Sequence, residues 1–201
     1  MVNEGKGLIS LYKIQKILKE LSSINNPPSA RLRFARFPSF AEHIANLFEE
    51  DRLFDIISRM QIQIDIVSKY NPPVRPALDP YISSQIGVFT RLFNDREIGF
   101  FVDYPECCVQ SFIEEVRYGL DERHFLELTQ SKGQSKGNVF VTTAGFVPCS
   151  VFCEESKKRG LIGFLDNTEV DRLKELEKEL ARKLPHFHPE YQEHYYDYYF
   201  S

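Results

Sequence analysis

Every cysteine in this 201-residue chain lies in one of two segments built to a similar plan. The first is Ile98-Gly99-Phe100-Phe101-Val102-Asp103-Tyr104-Pro105-Glu106-Cys107-Cys108, leading into Val109, Phe112, Ile113 and Val116. The second is Val139-Phe140-Val141-Thr142-Thr143-Ala144-Gly145-Phe146-Val147-Pro148-Cys149, leading into Val151, Phe152 and Cys153. Each reads as an apolar, β-rich run, an aromatic residue and a proline, then cysteine at the start of a helical pattern closed by Gly119 or Gly160. Proline in a first turn and glycine just past the last are the expected helix punctuation. Two such strand–helix units, placed side by side, open their helix starts at the same sheet end, where open sheets bind ligands.

The rest of the chain frames that core. Leu8, Leu11, Tyr12, Ile14, Ile17, Leu18 and Leu21 line one helical face, and Pro27-Pro28 stops the helix. A second helical stretch opens near Pro38-Ser39 and continues through Leu53, Phe54, Ile56 and Ile57, while Gln61–Val67 fits either a short strand or that helix's end. Asn71-Pro72-Pro73-Val74-Arg75-Pro76 has linker composition. Asp79-Pro80 reads as cap and first turn of a helix running through Ile86, Phe89 and Leu92. A last helix, capped by Asn167 or Thr168, carries Val170, Leu173, Leu176 and Leu180 as its apolar stripe. The expected class is α/β or α+β: a mostly helical region over 1–70, a proline-rich linker over 71–79, a cysteine-bearing core over 80–184, and a Tyr/His-rich tail over 185–201.

The cysteine pattern is CC, forty residues, then CxxxC. Helix N-termini lower a thiol's pKa and favour the thiolate, the form that binds metals and attacks electrophiles. Cys149 and Cys153, four apart, share a face if both are helical. Three chemistries stay open. Cys107, Cys108, Cys149 and Cys153 could hold one metal centre, zinc or an iron–sulfur cluster. The spacing matches no standard zinc motif. Adjacent side chains on a helix diverge by about 100°, which argues against both reaching one small ion and favours a larger cluster. Alternatively, the cysteines pair as disulfides that staple the two units. In the third chemistry one thiolate is a nucleophile or redox switch, with Cys149 the candidate because Pro148 puts it in a first turn.

The stretches FFVDYPECCVQSFIEE and GFVPCSVFCEESKKRG resemble the paired cysteine motifs of an uncharacterised archaeal protein family, a domain of unknown function. The resemblance spans roughly residues 95–165 and implies a cytoplasmic archaeal protein. It is compatible with metal and with disulfides, and brings no activity or substrate with it.

Charge and hydropathy narrow the remaining classes. A formal net charge of −4 gives no general attraction to phosphate backbones. The N-terminus lacks an export-signal pattern, and no apolar run reaches the roughly 18 residues a membrane helix needs. A cytoplasmic protein is the expectation. Arg31, Arg33 and Arg36, interleaved with Phe34 and Phe37, could meet single-stranded nucleic acid, but an edge strand or loop explains them as well. Lys132 and Lys136 flank a glycine loop that lacks the phosphate-loop pattern. His186, His188 and His194 are nitrogen donors in a tail, and Tyr195, Tyr196, Tyr198, Tyr199 and Phe200 fit packing on the domain or on a second subunit.

Overall fold

The computed structural model describes residues 12, 14–16, 38–47, 52–88, 90–115, 119–131 and 139–184. The arginine–phenylalanine stretch, the lysines of the glycine loop and the His/Tyr-rich tail lie outside the described residues. In chain order the elements are α1 (Pro38–Asn46), α2 (Arg52–Tyr70), α3 (Pro80–Gln85), α4 (Asp95–Phe101), α5 (Glu106–Glu115), α6 (Glu122–Ser131), β1 (Val139–Thr142), α7 (Glu154–Lys158), β2 (Ile162–Leu165) and α8 (Asn167–Lys183). Helices around one two-stranded antiparallel sheet make this an α+β fold.

The long helices α2 and α8 pack on each other because each carries an apolar stripe at helical spacing. Leu53, Ile56, Met60, Ile64 and Val67 from α2 meet Val170, Leu173, Leu176 and Leu180 from α8 in the first of two buried clusters. Gln61–Val67, open to two readings from sequence, is helix. Helix α8 starts at Asn167, so its cap is Asp166, one residue before the expected position: Asp166 accepts from the Glu169 amide (2.9 Å), and Glu169 accepts from the Asp166 amide (3.0 Å), a capping box.

The proline-dense segment expected as a linker packs into the interior. Val74, Arg75 and Asp79 are buried. Its polar groups are met from several sides: the Arg75 amide donates to Gly160 O (2.7 Å), Arg75 Nη2 donates to Val102 O (2.6 Å), and Thr143 Oγ1 donates to Arg75 O (2.8 Å). Gln63, fully buried on α2, donates to Ala77 O (2.8 Å). These contacts supply the partners that buried backbone groups require. Asp79 caps α3 as the sequence implies, with Pro80 in the first turn, and its carboxylate takes an ion pair from Arg59 (2.5 Å). That helix stops at Gln85 instead of continuing to Leu92, because Gly87 turns the chain at φ 71°.

The expectation of two matched strand–helix units is corrected at the first unit. Residues 98–101 belong to helix α4. Their β-rich composition yields to local capping: the Asn94 side chain accepts from the Glu97 amide (3.0 Å) and Glu97 accepts from the Asn94 amide (3.0 Å). Tertiary packing adds to it, since α4 and α5 cross so closely at Gly99 that a Cβ there would stand 2.4 Å from Val109 Cγ2. The second unit does begin with a strand. β1 pairs antiparallel with β2 in the register Val139↔Leu165, Phe140↔Phe164, Val141↔Gly163 and Thr142↔Ile162. The sheet therefore has no common edge at which two parallel strands end, and the cysteines are brought together by turns instead.

Candidate metal centre

Two turns deliver the cysteines. After α4, Asp103 takes a left-handed conformation (φ 59°) that only a few residue types tolerate. Arg159 holds it there, with Nη1 on both Asp103 O (3.1 Å) and Asp103 Oδ1 (3.0 Å). The Tyr104 amide closes back on Gly99 O (2.8 Å), and Pro105 O accepts from the Cys108 and Val109 amides (3.0 Å each). This reversal sets Cys107 and Cys108 in the first turn of α5, as the proline implied.

The second turn departs from expectation. Cys149 is not helical; it enters a turn over residues 149–152, and Cys153 is the N-cap of α7. The turn is closed by the Cys153 amide on Ser150 O (3.1 Å) and by the Phe152 amide on Ser150 Oγ (3.1 Å). Helix α6 braces it from outside. The Ser150 hydroxyl and Val151 amide both donate to Glu127 Oε2 (3.0 and 2.9 Å), and Arg123 Nη2 donates to Cys149 O (2.8 Å). Fully buried His124 sets Nε2 against Pro148 O (2.8 Å) and Nδ1 against Asp121 Oδ1 (2.7 Å). A carbonyl only accepts, so Nε2 carries a hydrogen. Neither His124, Glu127 nor Arg123 was singled out from sequence, because no spacing rule ties positions 121–127 to cysteines some twenty residues on.

All four thiols converge, with every Sγ within 4.8 Å of the others. Cys107 and Cys108 sulfurs are 3.9 Å apart, Cys107 and Cys153 3.8 Å, and Cys108 and Cys153 3.7 Å. These are separate thiols, far beyond the roughly 2.05 Å of a sulfur–sulfur bond. Cys107 is exposed, Cys149 and Cys153 are half-buried, and Cys108 is buried. Cys108 packs with Leu128, Phe140, Phe146, Val151, Leu161 and Ile162, the second buried cluster. Its sulfur also takes the Cys149 amide (3.3 Å) and lies 3.2 Å from Ser156 Oγ.

The environment separates the thiols electrostatically. Burial pushes Cys108 well above the ordinary thiol value despite hydrogen bonds from Ser156 and the Cys149 amide. Burial likewise raises Cys149, to about 11. Burial also acts upward on Cys153, but hydrogen bonds from the Ser156 side chain and backbone and from the Cys149 and Cys108 thiols outweigh it and leave that thiol below the ordinary value. The residue singled out as a nucleophile, Cys149, is thus the harder of these two to ionise. A bound cation overrides these differences by favouring thiolate at every ligand. Four convergent sulfurs of this kind are able to hold a metal ion.

No helix among the described residues is long and apolar enough to cross a membrane. Comparison with known proteins places the chain among archaeal relatives. It is 45% identical over 172 residues to an uncharacterised protein of Methanocaldococcus jannaschii, MJ1106, covering 84% of this chain and 85% of that one. It is 45% identical over 122 residues to an uncharacterised protein of Methanothermobacter thermautotrophicus, covering 61% of this chain and 66% of the relative. No solved structure matches significantly. The family model described as "protein of unknown function (DUF483)" matches residues 60–181, a span that contains all four cysteines and both turns that present them, and the chain belongs to that family.

Proposed function

We propose that Cys107, Cys108, Cys149 and Cys153 bind a single zinc ion through four thiolates, and that this centre locks the start of α5 to the 149–153 turn. The carrying observation is the sulfur spacing. Zinc–thiolate bonds of about 2.3 Å in a tetrahedron put the sulfurs about 3.8 Å apart. The three edges joining Cys107, Cys108 and Cys153, 3.7, 3.8 and 3.9 Å, match that figure, and the Cys149 sulfur lies within 4.8 Å of each.

The same spacing argues against an iron–sulfur cube. Each thiolate of a cube binds a different iron, and the irons are themselves separated, so the outer sulfurs stand farther apart than around one ion. The divergence expected of neighbouring cysteines does not keep these two apart, since the Cys107 and Cys108 sulfurs stand 3.9 Å from each other. Four thiolates leave no open coordination position, the pattern of a structural centre. The start of α5 also contributes its partial positive charge to Cys107 and Cys108, easing the load of four anionic ligands.

The test is metal content of the full chain purified without oxygen, together with cobalt substitution. One zinc per chain, replaced by cobalt with intense tetrahedral thiolate absorption and lost in Cys107→Ser, is the expected result. Exposed Cys107 is the variant of choice because its loss leaves no core cavity. Several irons per chain with acid-labile sulfide, or a folded chain with no metal, would overturn the zinc centre.

A further inference from the structure

A second feature stands apart from the thiols and does not depend on them. A cavity of about 490 Å³ opens between the buried 75–78 segment, α3 and the turn after β1. Small-molecule sites typically measure about 300–1,000 Å³ and are apolar with a few placed polar groups. The walls follow that pattern: Pro76, Leu78, Val88, Val102 and Ala144 supply apolar surface, and Tyr104 one aromatic face.

Of the polar side chains on the lining, Thr143 already donates to Arg75 O (2.8 Å) and Ser84 lies exposed at the rim, which leaves Arg75 and Ser83 to bear on a ligand. Arg75, only 4% exposed, brings a buried positive charge, with Nη2 on Val102 O (2.6 Å). Ser83, 8% exposed, makes only a backbone hydrogen bond among the described residues, which leaves its hydroxyl available on the cavity wall. A ligand acceptor within reach of that hydroxyl would gain a hydrogen bond. A guanidinium and a hydroxyl on one apolar wall select an anion attached to an apolar body.

We propose that this cavity binds a small organic acid, its apolar portion against Pro76, Leu78 and Val102 and its anionic group toward Arg75 and Ser83. The probe is 1-anilinonaphthalene-8-sulfonate, an aromatic anion of suitable size, titrated by fluorescence into the full-length folded chain. Saturable binding of one probe per chain is expected. Ser84, exposed on the cavity rim, is the position at which Ser84→Trp blocks entry without disturbing the core, and this variant should lose saturable binding. Ser83→Ala should weaken binding by up to about tenfold, the scale of one hydrogen bond. Octanoate should displace the probe and octylamine should not. Absent saturable binding, or binding unchanged in a folded Ser84→Trp chain, would overturn the site; equal displacement by octylamine would overturn the anionic class.

Discussion

The Ser156 hydroxyl sits 3.2 Å from the Cys108 sulfur, linking the one serine buried on α7 to the one cysteine buried on α5. Outer-shell groups of this kind orient metal ligands, and their loss typically costs about 10–100-fold in metal affinity. In Ser156→Ala, zinc affinity measured by competition with a chromophoric chelator should fall on that scale. Stability of the metal-loaded chain should drop by about 1 kcal/mol, the net worth of one hydrogen bond. Unchanged affinity in a folded variant would show that this contact does not support the ligands.

Removing the metal should loosen one part of the molecule more than another. Cys108 belongs to the cluster of Phe140, Phe146, Val151, Leu161 and Ile162, whereas the α2–α8 stripe forms the other cluster. Hydrogen exchange after chelation should quicken at residues 149–161 while the α2 and α8 amides keep their protection, because local opening follows local contacts. Uniform acceleration over both clusters would show that the centre governs the whole fold.

Gly99 is a packing requirement. An added Cβ would lie 2.4 Å from Val109 Cγ2, a distance real contacts do not reach. Overpacking of this kind costs about 1–3 kcal/mol, so Gly99→Ala should lower the denaturation midpoint. Combining it with Val109→Ala should recover part of the loss, giving a coupling energy in a double-mutant cycle. Strict additivity of the two changes would contradict the close crossing of α4 and α5.

Acid should weaken the α2–α8 contact. Glu179 accepts from Lys69 Nζ (2.6 Å) and Tyr70 OH (2.7 Å), and these two hydrogen bonds hold its carboxyl below the usual carboxylate value. A depressed carboxyl contributes stability above its unfolded pKa, about 4.3, and loses it as pH falls through the lowered folded value. Melting temperatures of the chain and of Glu179→Gln should therefore differ at neutral pH and converge below about pH 4. A gap that persists undiminished at pH 3 would assign the effect to packing instead of charge.

Some of this was legible in the residues alone. The amphipathic stripe of α8 repeats at 3.6 residues, so that helix and its apolar face were readable without any fold, whereas the residues mark α2 as helix only through Ile57 and leave Gln61–Val67 between strand and helix. Asp79-Pro80 announced the start of α3, and Pro105 the start of α5, because proline's fixed φ and missing donor act locally. The four cysteines stood out as a set, since they fall in two segments of similar composition.

What those residues could not state was where the side chains meet. Ile98–Phe101 has strand composition and is helix, because the Asn94–Glu97 capping box and the approach to Val109 outweigh β propensity. The 71–79 segment has linker composition yet packs inward at Pro72, Val74, Arg75, Pro76 and Asp79, because Gln63, Thr143 and Gly160, all distant in sequence, satisfy its backbone. The sulfur spacing depends on two turns, one held by Arg159 on Asp103 and one braced by Glu127 and His124. Sequence alone singled out the four cysteines as one candidate set and marked several local helix starts, since caps and periodicity act over a few residues. Only the tertiary structure decided that the Cys107, Cys108 and Cys153 sulfurs stand 3.7 to 3.9 Å apart with the Cys149 sulfur within 4.8 Å, because those distances are set by contacts between segments forty residues and more away from each other.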